Sequence, residues 1–206
     1  MNANEFYEEN AELFISQTRD ADMSAAYAEF VRRLPAGGSI LDAGSGSGRD
    51  SAWFKAHGFK VEAFDSSPAM VQATESFADV PTRLIRFEEF EWEHPFDGIW
   101  ACASLLHVAR SSFSGVINRL ASALNDEGSI YCSFKLGTQE RVLNGRYFND
   151  FDERLLVEAL SHTRTYAAAM WRTNDVRPDR ANENWLNALL SKRRAPTKSA
   201  LAANHL

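Results

Sequence analysis

Three glycines alternate within five residues of this chain. Gly44, Gly46 and Gly48 follow the apolar pair Ile40 and Leu41 and lead into a helix-like stretch that begins near Ser47. The full pattern is Asp42-x-Gly44-x-Gly46-x-Gly48. Glycine has no Cβ, so such a segment can turn tightly and let a ligand approach the backbone closely. The N-terminus of the following helix offers unpaired N–H groups and a positive dipole end, which suit a carboxylate or a phosphate. Asp65 closes the next apolar run, KVEAFD. A carboxylate at a strand end can accept hydrogen bonds from both hydroxyls of a ribose. Asp42 suits a cationic amine, directly or through water.

Further along, His107 in SLLHV has the titration range of a general base, and packing or helix capping is its plainer role. Lys135, Arg141 and Arg146 fall within twelve residues, with Tyr147 and Phe148 beside them. Arginine forks recognise carboxylate or phosphate, although the same cations could pair with Glu140, Asp150 and Asp152 in a solvated loop. Arg172, Arg177 and Arg180 could join an anionic pocket, but read more simply as a solvated hairpin with local ion pairs. Cys102 and Cys132 lie in apolar runs and read as buried thiols. No closely spaced Cys/His set suggests a metal.

These residues need elements to position them. SILDA, KVEAFD, TRLIRF, FDGIWACAS and GSIYCSFK read as five strands. Helices over 47–57, from Pro68 onward and over 111–124 alternate with them. That alternation predicts parallel strands joined by right-handed crossovers, with ligands bound beyond the strands' carboxyl ends. Two amphipathic helices are expected over about 4–34, broken near 18–22. LGTQERVLNGRYFNDF reads as a long polar loop, 152–160 as a helix, and TYAAAMWRT and NWLNALLSK as two final strands. The expected architecture is an α/β, doubly wound, seven-stranded sheet, mostly parallel with an antiparallel last strand and helices on both faces. One domain is expected over 1–192, followed by a loosely ordered basic tail over 193–206.

The chain has 206 residues, 45% of them hydrophobic, and a net charge of −6. That length supports one sizeable core. The acidic balance argues against holding a long nucleic acid by counterion release. A polar, acidic N-terminus and no long apolar run lead to the expectation of a soluble cytoplasmic protein.

A dinucleotide loop would read G-x-G-x-x-G. Counting from Gly44 the sixth position is Arg49, and from Gly46 it is Ser51. The D-x-G-x-G-x-G pattern instead resembles motif I of the class I S-adenosylmethionine-dependent methyltransferases. The resemblance extends from about Ile40 to Lys135. VEAFDSS resembles the family's ribose-binding motif, RFEEF lies where an acidic contact to adenine is common, FDGIWACASLLHV resembles the fourth-strand segment and LNDEGSIYCSFK the fifth. GSGSGRDSAWFKAHGFKVEAFD is similar to the small-molecule branch that includes tellurite-resistance methyltransferases.

The resemblance implies S-adenosylmethionine as cofactor and S-adenosylhomocysteine as product. It implies cofactor contacts from Tyr7, Asp42, Gly44, Gly46, Gly48, Arg49, Asp65, Ser66, Met70, Glu88, Glu89 and Ala103. The N-terminal helix, with Tyr7 and Arg19, is expected to fold over the donor as a lid. The candidate base is His107, and the candidate acceptor contacts are Lys135, Arg141, Arg146 and Tyr147. The expected acceptor is a small, anionic molecule. RNA or nucleotide methylation, and donor binding without catalysis, stand as alternatives. Ala101-Cys102-Ala103-Ser104 lacks the D/N-P-P-Y/F segment of adenine-N6 enzymes, and Cys102 lacks the preceding proline of cytosine-C5 enzymes.

Overall fold

The computed structural model describes residues 3–177 and 180–193. The strands are β1 (Ser39–Ala43), β2 (Lys60–Asp65), β3 (Thr82–Leu84), β4 (Phe96–Ala101), β5 (Leu124–Lys135), β6 (Glu140–Leu143), β7 (Arg146–Asn149), β8 (Thr165–Asn174) and β9 (Asn184–Lys192). The helices are α1 (Ala3–Glu9), α2 (Ala11–Thr18), α3 (Ser24–Val31), α4 (Arg49–Ala56), α5 (Pro68–Ala78), α6 (Arg110–Ser122) and α7 (Glu153–Leu160).

Seven strands form one sheet in the order β3-β2-β1-β4-β5-β9-β8. β1 to β5 run parallel, and β9 is antiparallel to both β5 and β8. This is the doubly wound, mostly parallel arrangement that the alternating elements predict. The register aligns Asp42 with Ala63 and Trp100, and Asp65 with Leu84. The carboxyl ends of β1, β2 and β4 therefore open on one edge of the sheet.

Alternate strand residues face opposite sides. Ile40 packs with Tyr27, Phe30, Phe54 and Trp100 on one side, while Leu41 packs with Ile99, Val116, Ile117 and Leu120 on the other. Both sides are thus hydrophobic, which is why the parallel strands read as nearly continuous apolar runs. Pro68 sits at the first turn of α5, and Ser67 caps it by accepting from the Met70 N–H.

Two expectations change. The N-terminal segment forms three helices rather than two, because Asn10 departs from helical geometry between α1 and α2. The stretch read as a long polar loop contains an antiparallel hairpin, β6 paired with β7. Asn144 and Gly145, at φ +50° and +76°, form its two-residue turn. Only Phe148 and Asn149 of the hairpin are buried, so no apolar alternation marks it. Residues 194–206, most of the expected tail, lie outside the described residues. No helix among the described residues is long and apolar enough to cross a membrane.

Candidate active site

The glycine segment is fastened to β2 before any ligand is considered. The N–H groups of Gly44 and Ser45 both donate to the Phe64 carbonyl, at 2.9 and 3.1 Å. A Cβ on Gly44 would stand 2.5 Å from the Ser104 Cβ. Gly44 is therefore fixed by the approach of the β4 loop, where Ser104 Oγ donates to the Ala43 carbonyl at 2.6 Å. Gly46 has φ +54°, and its Cβ would meet the Phe14 ring of α2 at 3.3 Å.

The Asp65 carboxylate holds the turn together. It accepts from the Gly46 N–H at 3.0 Å and from the Ser67 N–H at 3.0 Å. Burial raises its pKa, and these backbone donors counter that. The Ser66 N–H acts on it as well, and three donors leave acceptor capacity on the carboxylate for a ligand hydroxyl.

Above this turn lies a cavity of about 570 Å³. Of the expected donor contacts, Tyr7, Gly44, Gly46, Arg49, Asp65, Ser66, Met70, Glu88 and Ala103 line it. Asp42, Gly48 and Glu89 do not. Asp42 is fully buried beneath the turn, where its Oδ2 accepts from Ser51 Oγ at 2.6 Å. Burial and the nearby Asp50 push its pKa up. The expected contact from Asp42 to a cationic amine is therefore replaced by a core hydrogen bond. Gly48 caps α4 against Thr74, and Glu89 stands exposed beside the cavity-lining Glu88.

Arg49 is gripped rather than free. Its guanidinium forks onto Asp50 at 2.6 and 2.9 Å and donates to the Thr18 carbonyl at 3.2 Å. Asp50 also accepts from Tyr27 and, at 2.8 Å, from Trp100 Nε1. Burial alone would raise Asp50, but Arg49 and these donors outweigh it and hold the carboxyl below its usual range. Nothing in the sequence separates this inward-facing Asp50 from an ordinary first-turn helix acid. Arg19, expected in the lid, stacks on Phe77 and donates to the Ser47 carbonyl at 3.3 Å, outside the cavity.

His107 lies on the cavity wall with both ring nitrogens engaged. Nδ1 is 2.7 Å from the Tyr147 carbonyl and Nε2 is 3.0 Å from the Tyr7 hydroxyl. A carbonyl only accepts, so Nδ1 carries the proton and Nε2 accepts from Tyr7. Burial lowers the His107 pKa to about 4, with Arg146 adding to that, so the ring is neutral at physiological pH. Cys102 also lines the cavity, but burial raises its thiol to about 12, which removes it as a nucleophile.

The expected acceptor contacts separate into three kinds. Lys135 pairs with Glu183 and Asp175 and lies 4.0 Å from the Trp185 ring centre. Arg141 forks onto Asp150 at 2.6 Å. Tyr147 turns outward to Glu140 and leaves the cavity wall. Arg146 alone of the four lines the cavity without an ion pair to a carboxylate among the described residues. Its guanidinium sits between the Phe6 and Phe148 rings, 4.2 and 5.3 Å from their centres, and its buried Nε has no acceptor. Arg177 and Arg180 do reach the cavity, whereas Arg172 forks onto the exposed Glu153. Asp175 organises this end. It takes Lys135, a fork from Arg177, and Trp185 Nε1 at 3.0 Å. Asp175 could not be singled out from sequence, because its partners come from β5, β9 and its own loop.

The glycine turn, the strand-end acid and the cavity over the sheet edge agree with the family whose model matches this chain. Residues 15–174 match the methyltransferase domain family. The chain belongs to that family. It is an S-adenosylmethionine-dependent methyltransferase.

Among solved structures the methyltransferase is similar to the Burkholderia thailandensis 1,6-didemethyltoxoflavin-N1-methyltransferase, at 23% identity and a TM-score of 0.74, covering 92% of this chain and 85% of that one. It is similar to a TehB-like methyltransferase from Corynebacterium glutamicum at 18% identity and a TM-score of 0.65, covering 92% and 98%. A curated relative, an uncharacterised methyltransferase of Staphylococcus carnosus, is 24% identical over 143 residues, 68% of this chain and 69% of that protein. At these identities the structural likeness describes the fold.

Proposed function

We propose that the methyltransferase acts on a small, anionic acceptor. The cofactor supplies a methyl group already activated on a sulfonium. The chain therefore has to orient the two reactants and exclude water. Asp65 holds the ribose hydroxyls, and the turn at Gly44 and Gly46 gives the rest of the donor its floor. Glu88 stands where the adenine end would lie. The helices α1 and α2 cover this side as a lid.

Arg146 is the observation that carries the acceptor reading. A buried guanidinium nitrogen without an acceptor costs free energy unless a ligand supplies one. The aromatic rings on either side fix the fork in place before binding. Lys135, Arg141, Arg177 and Arg180 line the same cavity, together with Asp175 and Glu183. Lys135, Arg141 and Arg177 already hold internal carboxylates, and contribute as walls rather than as free forks. The Burkholderia enzyme, described with bound 1,6-didemethyltoxoflavin and S-adenosylhomocysteine, gives independent support for a small-molecule acceptor on this fold.

The test begins with cell extract, isotopically labelled S-adenosylmethionine and mass spectrometry to find which molecules gain the label. Arg146→Lys then keeps the charge and removes the fork. The acceptor KM should rise while S-adenosylhomocysteine affinity stays unchanged. An unaltered KM, or label found only in RNA, would defeat the anionic small-molecule reading.

A further inference from the structure

The hydrogen-bond chain on the cavity wall goes beyond holding ligands. Tyr7 comes from α1, His107 from the turn after β4, and the Tyr147 carbonyl from β7. Three segments distant in sequence converge on a single line: Tyr147 C=O, His107 Nδ1–H, His107 Nε2 and Tyr7 O–H. The carbonyl fixes the imidazole tautomer, as a backbone acceptor does for many catalytic histidines. The Nε2 lone pair, which carries no proton, then accepts from the Tyr7 phenol on the cavity wall. Phe14 and Phe6 pack edge-on against the Tyr7 ring, at 4.9 and 5.5 Å, and Phe148 packs against the imidazole at 5.2 Å.

We infer that Tyr7 and His107 form a proton relay, and that the acceptor atom therefore carries a proton it loses on methylation. The inference rests on the methyltransferase reading and narrows its substrate to a protic oxygen or nitrogen nucleophile. A soft thiolate or metalloid would need no relay. As the acceptor's lone pair bonds the methyl carbon and the C–S bond pair leaves with sulfur as a neutral thioether, the acceptor's proton passes to Tyr7 Oη and the Tyr7 proton passes to His107 Nε2. The resulting imidazolium returns its proton to solvent when the lid opens.

Burial disfavours a charged His107, which keeps Nε2 free to accept at rest. During transfer the cavity gains no net charge, because the positive charge lost from the sulfonium appears on the imidazole. Arg146 on β7, Asp65 at the end of β2 and Arg177 in the β8–β9 loop are the charged groups whose fields reach the Tyr7 phenol. Burial raises the phenol's pKa while Arg146 pulls it back, so Tyr7 stays protonated until an acceptor delivers a proton.

The experiment compares wild type with Tyr7→Phe, His107→Asn and the double variant. His107→Asn keeps a donor near the Tyr147 carbonyl and removes Nε2. Calorimetry with S-adenosylhomocysteine checks folding and donor binding, and methyl transfer from labelled donor into extract gives the rate. Each variant should retain S-adenosylhomocysteine affinity and lose about 100-fold or more in rate. The double variant should be no slower than the slower single variant, since the two residues act in series. Variant rates should rise with pH as solvent base replaces the relay. In wild type, nitrogen-15 spectra should show one neutral imidazole protonated at Nδ1, whatever the variants do.

An Nε2-protonated His107 would overturn the relay. So would variants that keep both rate and pH profile, or a Tyr7→Phe variant that loses S-adenosylhomocysteine affinity at unchanged rate. Failure of wild type to bind S-adenosylhomocysteine would instead strike the donor site, and the relay with it.

Discussion

At the residue scale, the glycine turn and Asp65 depend on each other. The Asp65 carboxylate accepts from the Gly46 N–H, so the acid proposed to hold the ribose also shapes the glycine turn. Asp65→Ala should weaken S-adenosylhomocysteine binding by about 1.5–3 kcal/mol, the usual loss for a charge-assisted contact, read by calorimetry. Unchanged affinity in a folded variant would remove Asp65 from the donor site. Asp42 makes a different prediction. Its carboxyl is buried, so its folded-state pKa is raised and the native protein holds a proton that the unfolded chain releases. That contribution to stability is full below the usual carboxylate range and is lost as pH rises toward the folded-state value. Asp42→Asn keeps an acceptor for Ser51 Oγ and carries no charge. The melting temperature of wild type relative to this variant should fall between ~pH 5 and ~pH 8. A constant difference would mean that Asp42 is ionised throughout.

At the element scale, two additions to the sheet close the cavity. Glu8 of α1 accepts from Ser67 Oγ and from the Ala69 N–H at 3.0 Å, which ties α1, the proposed lid, to the start of α5. Glu8→Ala should speed S-adenosylhomocysteine release several-fold, measured by stopped-flow displacement. The same variant should lose ~0.5–2 kcal/mol of stability through the lost cap. If release is unchanged, α1 does not gate the donor. The β6–β7 hairpin closes the other side and presents Arg146. Gly145 at φ +76° has a backbone that β-branched residues avoid. Gly145→Val should cost about 1–2 kcal/mol locally and raise the acceptor KM while leaving S-adenosylhomocysteine affinity alone. Loss of both affinities would show that the hairpin supports the whole cleft.

At the scale of the whole molecule, charge and cavity point in opposite directions. The chain carries a net −6, yet Arg146 lines the cavity with its buried Nε unpaired, beside cations that Asp150, Asp175 and Glu183 already hold. The proposed small anion would meet Arg146 locally, whereas the overall charge disfavours a long polyanion. Fluorescent homopolymer RNA should show no measurable binding at ~150 mM salt. Tight, steeply salt-dependent binding would reverse that reading.

The sheet was legible in the chain's pattern, because alternating apolar strands and helices joined by glycine and proline signals admit few topologies. The glycine turn proposed to hold the donor was legible too, because both the glycine pattern and the strand-end Asp65 are local signals. Which charged residues face the cavity follows from packing and is not legible in the chain. Asp42 and Asp65 close successive strands and look alike in sequence, yet one is sealed against Ser51 and the other lines the cavity. Lys135, Arg141 and Arg146 look alike too, and differ only because Glu183, Asp175 and Asp150 claim the first two. The Tyr7–His107 pair spans 100 residues. Ion pairs and hydrogen bonds of this kind form between groups brought together by packing, so no local spacing records them.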